Sequence, residues 1–148
     1  MAHTVNSIVI NAPYDKVFEA SNDINRWKEF FAEYTGSEVT ERKGNKITFK
    51  LTHQNGTSWT SYRLLFKEDK FCYAARVAPM APFEFMKIIW LYREVAEGIE
   101  MTWIQDFRMG AGAKFTDQQA QDAINKHSLE NLKRFKEIIE KESKGGKV

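Results

Sequence analysis

Three side chains of one predicted strand, Trp59, Ser61 and Arg63, are the best candidates for chemistry in this chain. Because side chains alternate along a strand, these three point to the same face of a sheet. If that face meets solvent, the row is a decorated outer surface. If it faces the interior, Arg63 lies in an apolar enclosure and needs hydrogen-bond partners, since an unpaired buried charge is very costly. A buried arginine could stabilise a developing enolate or polarise a carbonyl group.

Aromatic residues are abundant, at 14% of 148 residues, with 11 Phe, 5 Tyr and 4 Trp. They predict either a Phe-rich core or a cavity walled with flat rings for a flat or hydrophobic ligand. Each of them, taken singly, is typical of a core position. The candidate wall residues, in addition to Trp59, are Trp27, Phe31, Phe49, Trp90 and Trp103.

Two further candidates are polar. Tyr34 directly follows a predicted short helix and is either an interface residue or a proton donor. Asn131 interrupts the apolar stripe of the last predicted helix, so it needs a hydrogen-bond partner if it is buried.

Composition excludes several classes of protein. Lys and Arg number 22 against 20 Asp and Glu, and the resulting net charge of +2 argues against a dedicated nucleic-acid binder. Cys72 is the single cysteine, so neither an intrachain disulfide nor a cysteine-rich zinc site is expected. The three histidines have no metal-ligand spacing, and no phosphate-binding glycine motif occurs. Without an apolar run of about 20 residues or a signal sequence, we expect a cytoplasmic protein that does not bind membranes.

The elements that must position the candidates follow from periodicity and turn signals. We predict a strand, two short helices, about six strands joined by tight turns, and one long C-terminal helix. The predicted ranges are residues 4–11 for the first strand, 14–20 for the first helix, 34–108 for the strands, about 116–142 for the long helix and 143–148 for a flexible tail. The long helix is the one large element able to cover the sheet. The fold class is therefore α+β, a curved antiparallel sheet wrapped around that helix in a single domain over residues 1–148.

Six segments carry a family resemblance that spans roughly residues 6–140. They read NSIVINAP, SNDINRWKEFFAEY, WTSYR, APFEFMKIIWLYREV, EMTWIQDF and NLKRFKEIIE. The chain resembles the aromatase/cyclase branch of the START-like (Bet v 1-like, SRPBCC) helix-grip superfamily, and most of all the tetracenomycin-type domain of bacterial polyketide synthases. The first segment is shared widely in the superfamily. The Trp59-x-Ser61-x-Arg63 row, combined with the second and fifth segments, is more specific.

The resemblance implies a function. Such proteins accept a poly-β-ketone from an acyl carrier protein, fold it, and direct aldol cyclisation and dehydration to an aromatic ring. The family's pocket arginine, neighbouring serine and proton-donating tyrosine match Arg63, Ser61 and Tyr34. Its ring-lined walls and pocket asparagine match Trp27, Phe31, Trp59, Trp90 and Asn131. No metal, nucleotide or flavin is implied, and the implied partners are the carrier protein and other components of a type II polyketide synthase.

One position departs from the family pattern. A second tryptophan two residues before the one that matches Trp59 is replaced by Thr57. The missing ring predicts an altered pocket shape, which leaves chain length and ring-closure register open. The alternative function is a non-catalytic carrier of lipids or quinones with the same fold, since fold does not determine function. A protein-interaction module is a third class, and it would expose an apolar surface patch instead of a cavity with polar groups.

Overall fold

The computed structural model describes residues 1–145 and confirms the predicted α+β helix-grip architecture. Its elements follow the predicted order. Their bounds are β1 (Ala2–Ile10), α1 (Tyr14–Ser21), a 3₁₀ turn (Ile24–Arg26), α2 (Trp27–Phe30), β2 (Tyr34–Lys43), β3 (Lys46–His53), β4 (Ser58–Phe66), β5 (Phe71–Ala78), β6 (Phe83–Val95), β7 (Gly98–Met109) and α3 (Asp117–Gly145). The predicted second short helix is therefore a 3₁₀ turn followed by a single helical turn.

The seven strands form one antiparallel sheet in the order β1-β7-β6-β5-β4-β3-β2. Strands β2 to β7 are sequential neighbours, and β1 pairs with β7 at the far edge. Period-two alternation gives each strand one inward face: in β3, Ile47, Phe49 and Leu51 are buried while Lys46 and Lys50 are exposed. The sheet therefore presents a mostly apolar inner face, which α3 covers.

Helix α3 begins at identifiable contacts. Asp117 accepts the backbone N–H of Met109 at 2.8 Å, and the Thr116 hydroxyl accepts the N–H of Gln119 at 3.1 Å. The helix continues past Glu142, where the sequence predicted its end, because buried Ser143 extends the inward stripe one turn beyond Ile139. Residues 146–148 of the predicted tail lie outside the described residues.

An aromatic cluster joins the helix to the sheet. Trp90 of β6 and Trp103 of β7 stack with centroids 4.4 Å apart, and Phe135 of α3 meets both rings edge-on at 5.8 and 5.2 Å. Phe30 of α2 stacks on Phe135 at 4.5 Å. Offset and edge-to-face pairs add attraction to the burial of large apolar surfaces. The cluster therefore holds the helix, the sheet and α2 together.

Phe135→Ala is expected to lower the free energy of unfolding by about 3–5 kcal/mol, because it leaves a cavity among rings that close around it. Urea-induced unfolding measures this change. Phe115→Ala is the matched control: Phe115 is 60% exposed, so its loss should change stability by less than about 0.5 kcal/mol. Equal effects of the two substitutions would contradict the central place of Phe135.

Candidate functional site

A cavity of about 780 Å³ lies between α3 and the inner face of the sheet. Its exposed lining residues belong to the β3–β4 turn, the β5–β6 loop, the loop before α3 and the N-terminal part of α3, so the cavity opens to solvent between these segments. The volume falls within the range of about 300–1,000 Å³ that is typical of small-molecule sites.

The cavity collects all of the candidate residues proposed from the sequence. The row on β4 faces inward, which settles its orientation. The residues that line the cavity include Trp27, Phe31, Tyr34, Phe49, Trp59, Ser61, Arg63, Trp90, Trp103 and Asn131. They come from α2, from strands β2, β3, β4, β6 and β7, and from α3, so only the tertiary fold brings them together.

The Arg63 guanidinium lies at the inner end of the β4 row and is 1% exposed. Its Nε donates to Oδ1 of Asn22 at 3.1 Å, and its Nη2 donates to Sγ of Cys72 at 2.8 Å. Its carbon atom lies 4.1 Å from the Trp90 ring centroid and 5.1 Å from that of Trp27. A guanidinium over an indole face is attracted by the ring quadrupole, more so when water is excluded.

Arg63 is a buried cation without an ionic partner. Within residues 1–145, no carboxylate forms a salt bridge with it, and its side-chain hydrogen bonds use Nε and Nη2 only. The two N–H groups of Nη1 are thus left for a ligand. Because burial without a counter-charge costs free energy, this arrangement is characteristic of a site that meets negative charge during its function.

Tyr34 lies against Phe31 and Trp59, with ring centroids at 4.8 and 5.8 Å. Its remaining accessible surface faces the cavity. Burial raises the pKa of Tyr34 above its ordinary value, and Glu33 adds to this effect while Arg76 and Arg63 oppose it. The phenol is therefore protonated at neutral pH, which suits a proton donor and excludes a phenolate base.

Asn131 of α3 uses its amide to hold the segment before Tyr34. Its Nδ2 donates to the Glu33 carboxylate at 3.0 Å, and its Oδ1 accepts the backbone N–H of Ala32 at 3.3 Å. Both polar atoms of the Asn131 amide therefore bond the two residues that precede Tyr34. Through these bonds Asn131 positions Tyr34.

Sequence reasoning missed Arg76 of β5. It lies opposite Ser61 across the β4–β5 bulge, with its guanidinium carbon 4.5 Å from the Trp59 centroid. Its Nε and Nη2 donate to the carbonyls of Pro79 and Ala81 at 2.7 and 2.9 Å. Burial lowers the pKa of Arg76 from its ordinary value, but a guanidinium remains charged. Arg76 lies four residues after Cys72, so strand alternation places both side chains on the same face of the sheet. This spacing could have identified Arg76 from the sequence.

Gln105 of β7 is a second polar group on the wall. Its Oε1 accepts from the buried hydroxyls of Thr4 at 2.8 Å and Ser128 at 3.0 Å. Because Oε1 of Gln105 faces both hydroxyls, its Nε2 amino group points away from them. Gln105 lies two residues after Trp103 in β7, so strand alternation puts both side chains on the inner face.

The described part of the chain offers no metal site and no membrane span. Within residues 1–145, no three His, Cys, Asp or Glu side chains are grouped so that they could hold a metal ion. No helix in the same range has the length and apolar character needed to cross a bilayer.

Fold and cavity define a helix-grip protein that encloses a ligand-sized space between sheet and helix. The chain belongs to the family described as polyketide cyclase / dehydrase and lipid transport, which matches residues 1–140. A Streptomyces cyaneus protein assigned as a polyketide cyclase is 40% identical over 146 residues, covering 95% of each chain.

Two solved structures share the fold. The Zhui aromatase/cyclase of Streptomyces sp. R1128 superposes with a TM-score of 0.82 at 18% identity, covering 93% of each chain. The di-domain aromatase/cyclase StfQ of the steffimycin pathway superposes with a TM-score of 0.78 at 15% identity, covering 95% of this chain and 52% of StfQ. Together with the family match, these comparisons support a polyketide cyclase role.

Tyr34→Phe is expected to flatten the loss of stability at alkaline pH. Because burial raises the pKa of Tyr34 in the folded state, the unfolded chain releases this proton first. The free energy of unfolding therefore falls as pH rises above about 10, by up to about 1.4 kcal/mol per pH unit for one such group.

Urea unfolding at a series of pH values measures this slope. Below about pH 9, wild type and variant should show parallel profiles, since tyrosine is protonated in both states. Identical slopes above about pH 10 would contradict a raised pKa for Tyr34.

Proposed function

We propose that this protein is an aromatase/cyclase that accepts a poly-β-ketone from an acyl carrier protein and directs its regiospecific aldol cyclisation, dehydration and aromatisation. The observation that carries the proposal is Arg63, a buried guanidinium in the wall of an aromatic cavity that no carboxylate of residues 1–145 neutralises. An enolate is the anion that this chemistry generates.

The aromatic walls supply selectivity among folded conformers. The β4 row runs over four residue steps from Trp59 to Arg63, or roughly 13 Å at about 3.3 Å per step. A flexible chain with many carbonyl groups can close several rings, and flat walls admit few of its conformers. Holding one conformer brings the two reacting carbons together. The entropy cost of aligning them is then met on binding and does not add to the reaction barrier.

Carbon–carbon bond formation begins at a methylene between two carbonyls, which is acidic enough to lose a proton to solvent. Arg63 donates hydrogen bonds to the resulting enolate oxygen and stabilises its charge. The enolate carbon then attacks a second carbonyl carbon, whose oxygen takes the electron pair and becomes an alkoxide. Ser61 orients that carbonyl as a hydrogen-bond donor.

Tyr34 protonates the alkoxide, and the phenolate regains its proton from solvent. The new hydroxyl then leaves with a proton from the adjacent carbon as water, and a carbon–carbon double bond forms. Enolisation of the remaining ring carbonyls completes the aromatic ring. Each step moves protons and electron pairs only, so no redox cofactor is needed.

A carrier of lipids or quinones is the competing function within this fold. Storage of an apolar ligand needs apolar walls and few polar groups. The cavity holds a protonated phenol at one end and, at the other, a buried guanidinium that no carboxylate of residues 1–145 neutralises. Burying this charge lowers the stability of the fold and does not help a carrier bind an apolar ligand. These two residues favour the cyclase.

Access to the cavity fits a tethered substrate. Thr57, which stands where the family has a tryptophan, is exposed at the rim, so its smaller side chain widens the opening. Arg76 is the one Lys or Arg besides Arg63 among the described lining residues. We propose that Arg76 binds the phosphate or thioester oxygen of the phosphopantetheine arm.

Arg63→Ala is expected to abolish directed cyclisation and leave the fold intact, because it removes the enolate-stabilising donor and a desolvated charge together. Arg63→Lys should restore little, since a point charge does not reproduce the planar fork of the guanidinium. The measurement is the ring pattern of products formed with a minimal polyketide synthase. Arg42→Ala, at an exposed position on β2, is the control. Full regiospecificity of Arg63→Ala would show that cavity shape alone is the catalyst.

Arg76→Ala is expected to weaken turnover of carrier-bound substrate about tenfold, the effect of losing one charge-assisted contact of about 1.4 kcal/mol. An untethered analogue should be affected less, because it lacks the arm. Turnover of the tethered substrate by wild type should also fall with rising salt, since charge pairing mainly accelerates association. Equal losses on both substrates would place Arg76 in the reaction itself and overturn the docking role.

A further inference from the structure

We infer that Asn22 is a positioning residue that holds Arg63 in place without neutralising it, so that the cavity binds the ionised form of an enol or phenol in preference to the neutral form. The inference rests on the proposed function, because it concerns the same guanidinium. Asn22 does not line the cavity, yet it determines how the charge of Arg63 is presented to a ligand inside the cavity.

The Asn22 amide is buried, at 5% exposure, and all of its hydrogen-bonding groups are used. Nδ2 donates to the Phe18 carbonyl at 2.9 Å and to the Tyr92 hydroxyl at 3.1 Å. Oδ1 accepts from Arg63 Nε at 3.1 Å and from the Cys72 thiol at 3.7 Å. A single amide thus joins α1, β4, β5 and β6.

The partners determine which way this amide points. A backbone carbonyl only accepts hydrogen bonds, so Nδ2 must face Phe18 and Oδ1 must face Arg63. The Tyr92 hydroxyl then accepts from Asn22 and donates to Ser21 Oγ at 2.8 Å, and Ser21 donates to the same Phe18 carbonyl at 3.2 Å. Every donor in this series of hydrogen bonds has an acceptor. The neutral carboxamide of Asn22 therefore fits its position without an unsatisfied polar group.

The other groups around Arg63 also leave its charge uncompensated. Trp27 and Trp90 present ring faces, and the titratable side chains near it on the sheet are Cys72 of the neighbouring strand β5 and Tyr92 of the next strand, β6. Burial raises the pKa of Tyr92 well above its ordinary value, so it remains a neutral phenol. The Cys72 sulfur accepts from Arg63 while its proton points to Asn22 Oδ1. Tyr34, at the other end of the cavity, is likewise protonated.

An aspartate at position 22 would satisfy Nε equally well and supply an ion pair. It would also cancel the charge that a ligand anion meets, because the carboxylate would lie within hydrogen-bond distance of the guanidinium. Asparagine instead keeps a preorganised cation in a water-poor site, where its effect on a developing oxyanion is largest. The choice of amide over carboxylate therefore favours anion binding at the expense of stability.

The probe for this inference is 4-nitro-1-naphthol, a flat two-ring phenol whose naphtholate form absorbs visible light. Titrating its absorbance at saturating protein gives the pKa of the bound probe without any turnover. For wild type we expect a value about one unit below that of the free probe, equivalent to about tenfold tighter binding of the anion than of the neutral form. An unshifted value for wild type would overturn the inference.

Two substitutions separate charge from position. Asn22→Asp should return the bound probe to the pKa of the free probe. Asn22→Ala retains the charge but releases Nε, so the guanidinium must be ordered again whichever form of the probe binds. The affinities for naphthol and naphtholate should therefore both fall about tenfold, while the pKa shift, which is their ratio, survives. If Asn22→Asp does not fold, Asn22→Ala still decides the positioning role, because wild-type affinity in that variant would refute it.

Matched controls address the alternatives. Asn25→Asp places the same negative charge at an exposed position on the 3₁₀ turn, where Oδ1 already accepts the Val39 N–H at 2.9 Å, and should leave the probe shift unchanged. Cys72→Ser should also preserve the shift. A larger shift in Cys72→Ser would mean that a thiolate neutralises Arg63, which would overturn the inference. If wild type shows the probe shift but does not direct cyclisation, the proposed function is wrong and the inference about Asn22 stands.

Discussion

The site depends on the burial of one guanidinium that has no counter-ion among residues 1–145. Arg63 remains in the interior because its Nε and Nη2 have polar partners in Asn22 and Cys72, and because Trp27 and Trp90 present π faces to its charge. None of these contacts cancels the charge. The charge therefore remains available to a ligand, which is the condition that the proposed enolate chemistry requires.

The short segment between α1 and β2 supplies the contacts that keep the Arg63 charge available in the cavity. Asn22 directly follows α1, and Trp27 begins α2 with its indole N–H bonded to the Ser21 carbonyl at 3.0 Å. The same segment leads through Phe31 to Tyr34, where Asn131 and Glu33 connect it to α3. About a dozen residues thus position the guanidinium at one end of the cavity and the phenol at the other. The long helix closes the space between them through Phe135, which packs on the tryptophan stack.

Much of the fold could be predicted locally. The alternation of Ile47, Phe49 and Leu51 required a half-buried strand, and the apolar stripe that includes Phe135 required a covering helix. The parity of Trp59, Ser61 and Arg63 placed three side chains on one face, but left open which face it was. The extension of α3 to Gly145 could not be predicted, since its cause is the burial of Ser143 against elements distant in the chain.

By itself, the sequence determined the element order, the amphipathic faces and the ten candidate residues, because each depends on spacing between neighbours in the chain. Tertiary structure alone decided that the β4 row faces inward and that Asn22, 41 positions before Arg63, holds its Nε. It also decided that Arg76 joins the cavity wall across the bulge from Ser61. These outcomes depend on strand register and on packing between distant segments, and a buried charge acquires its properties from neighbours that local periodicity does not specify.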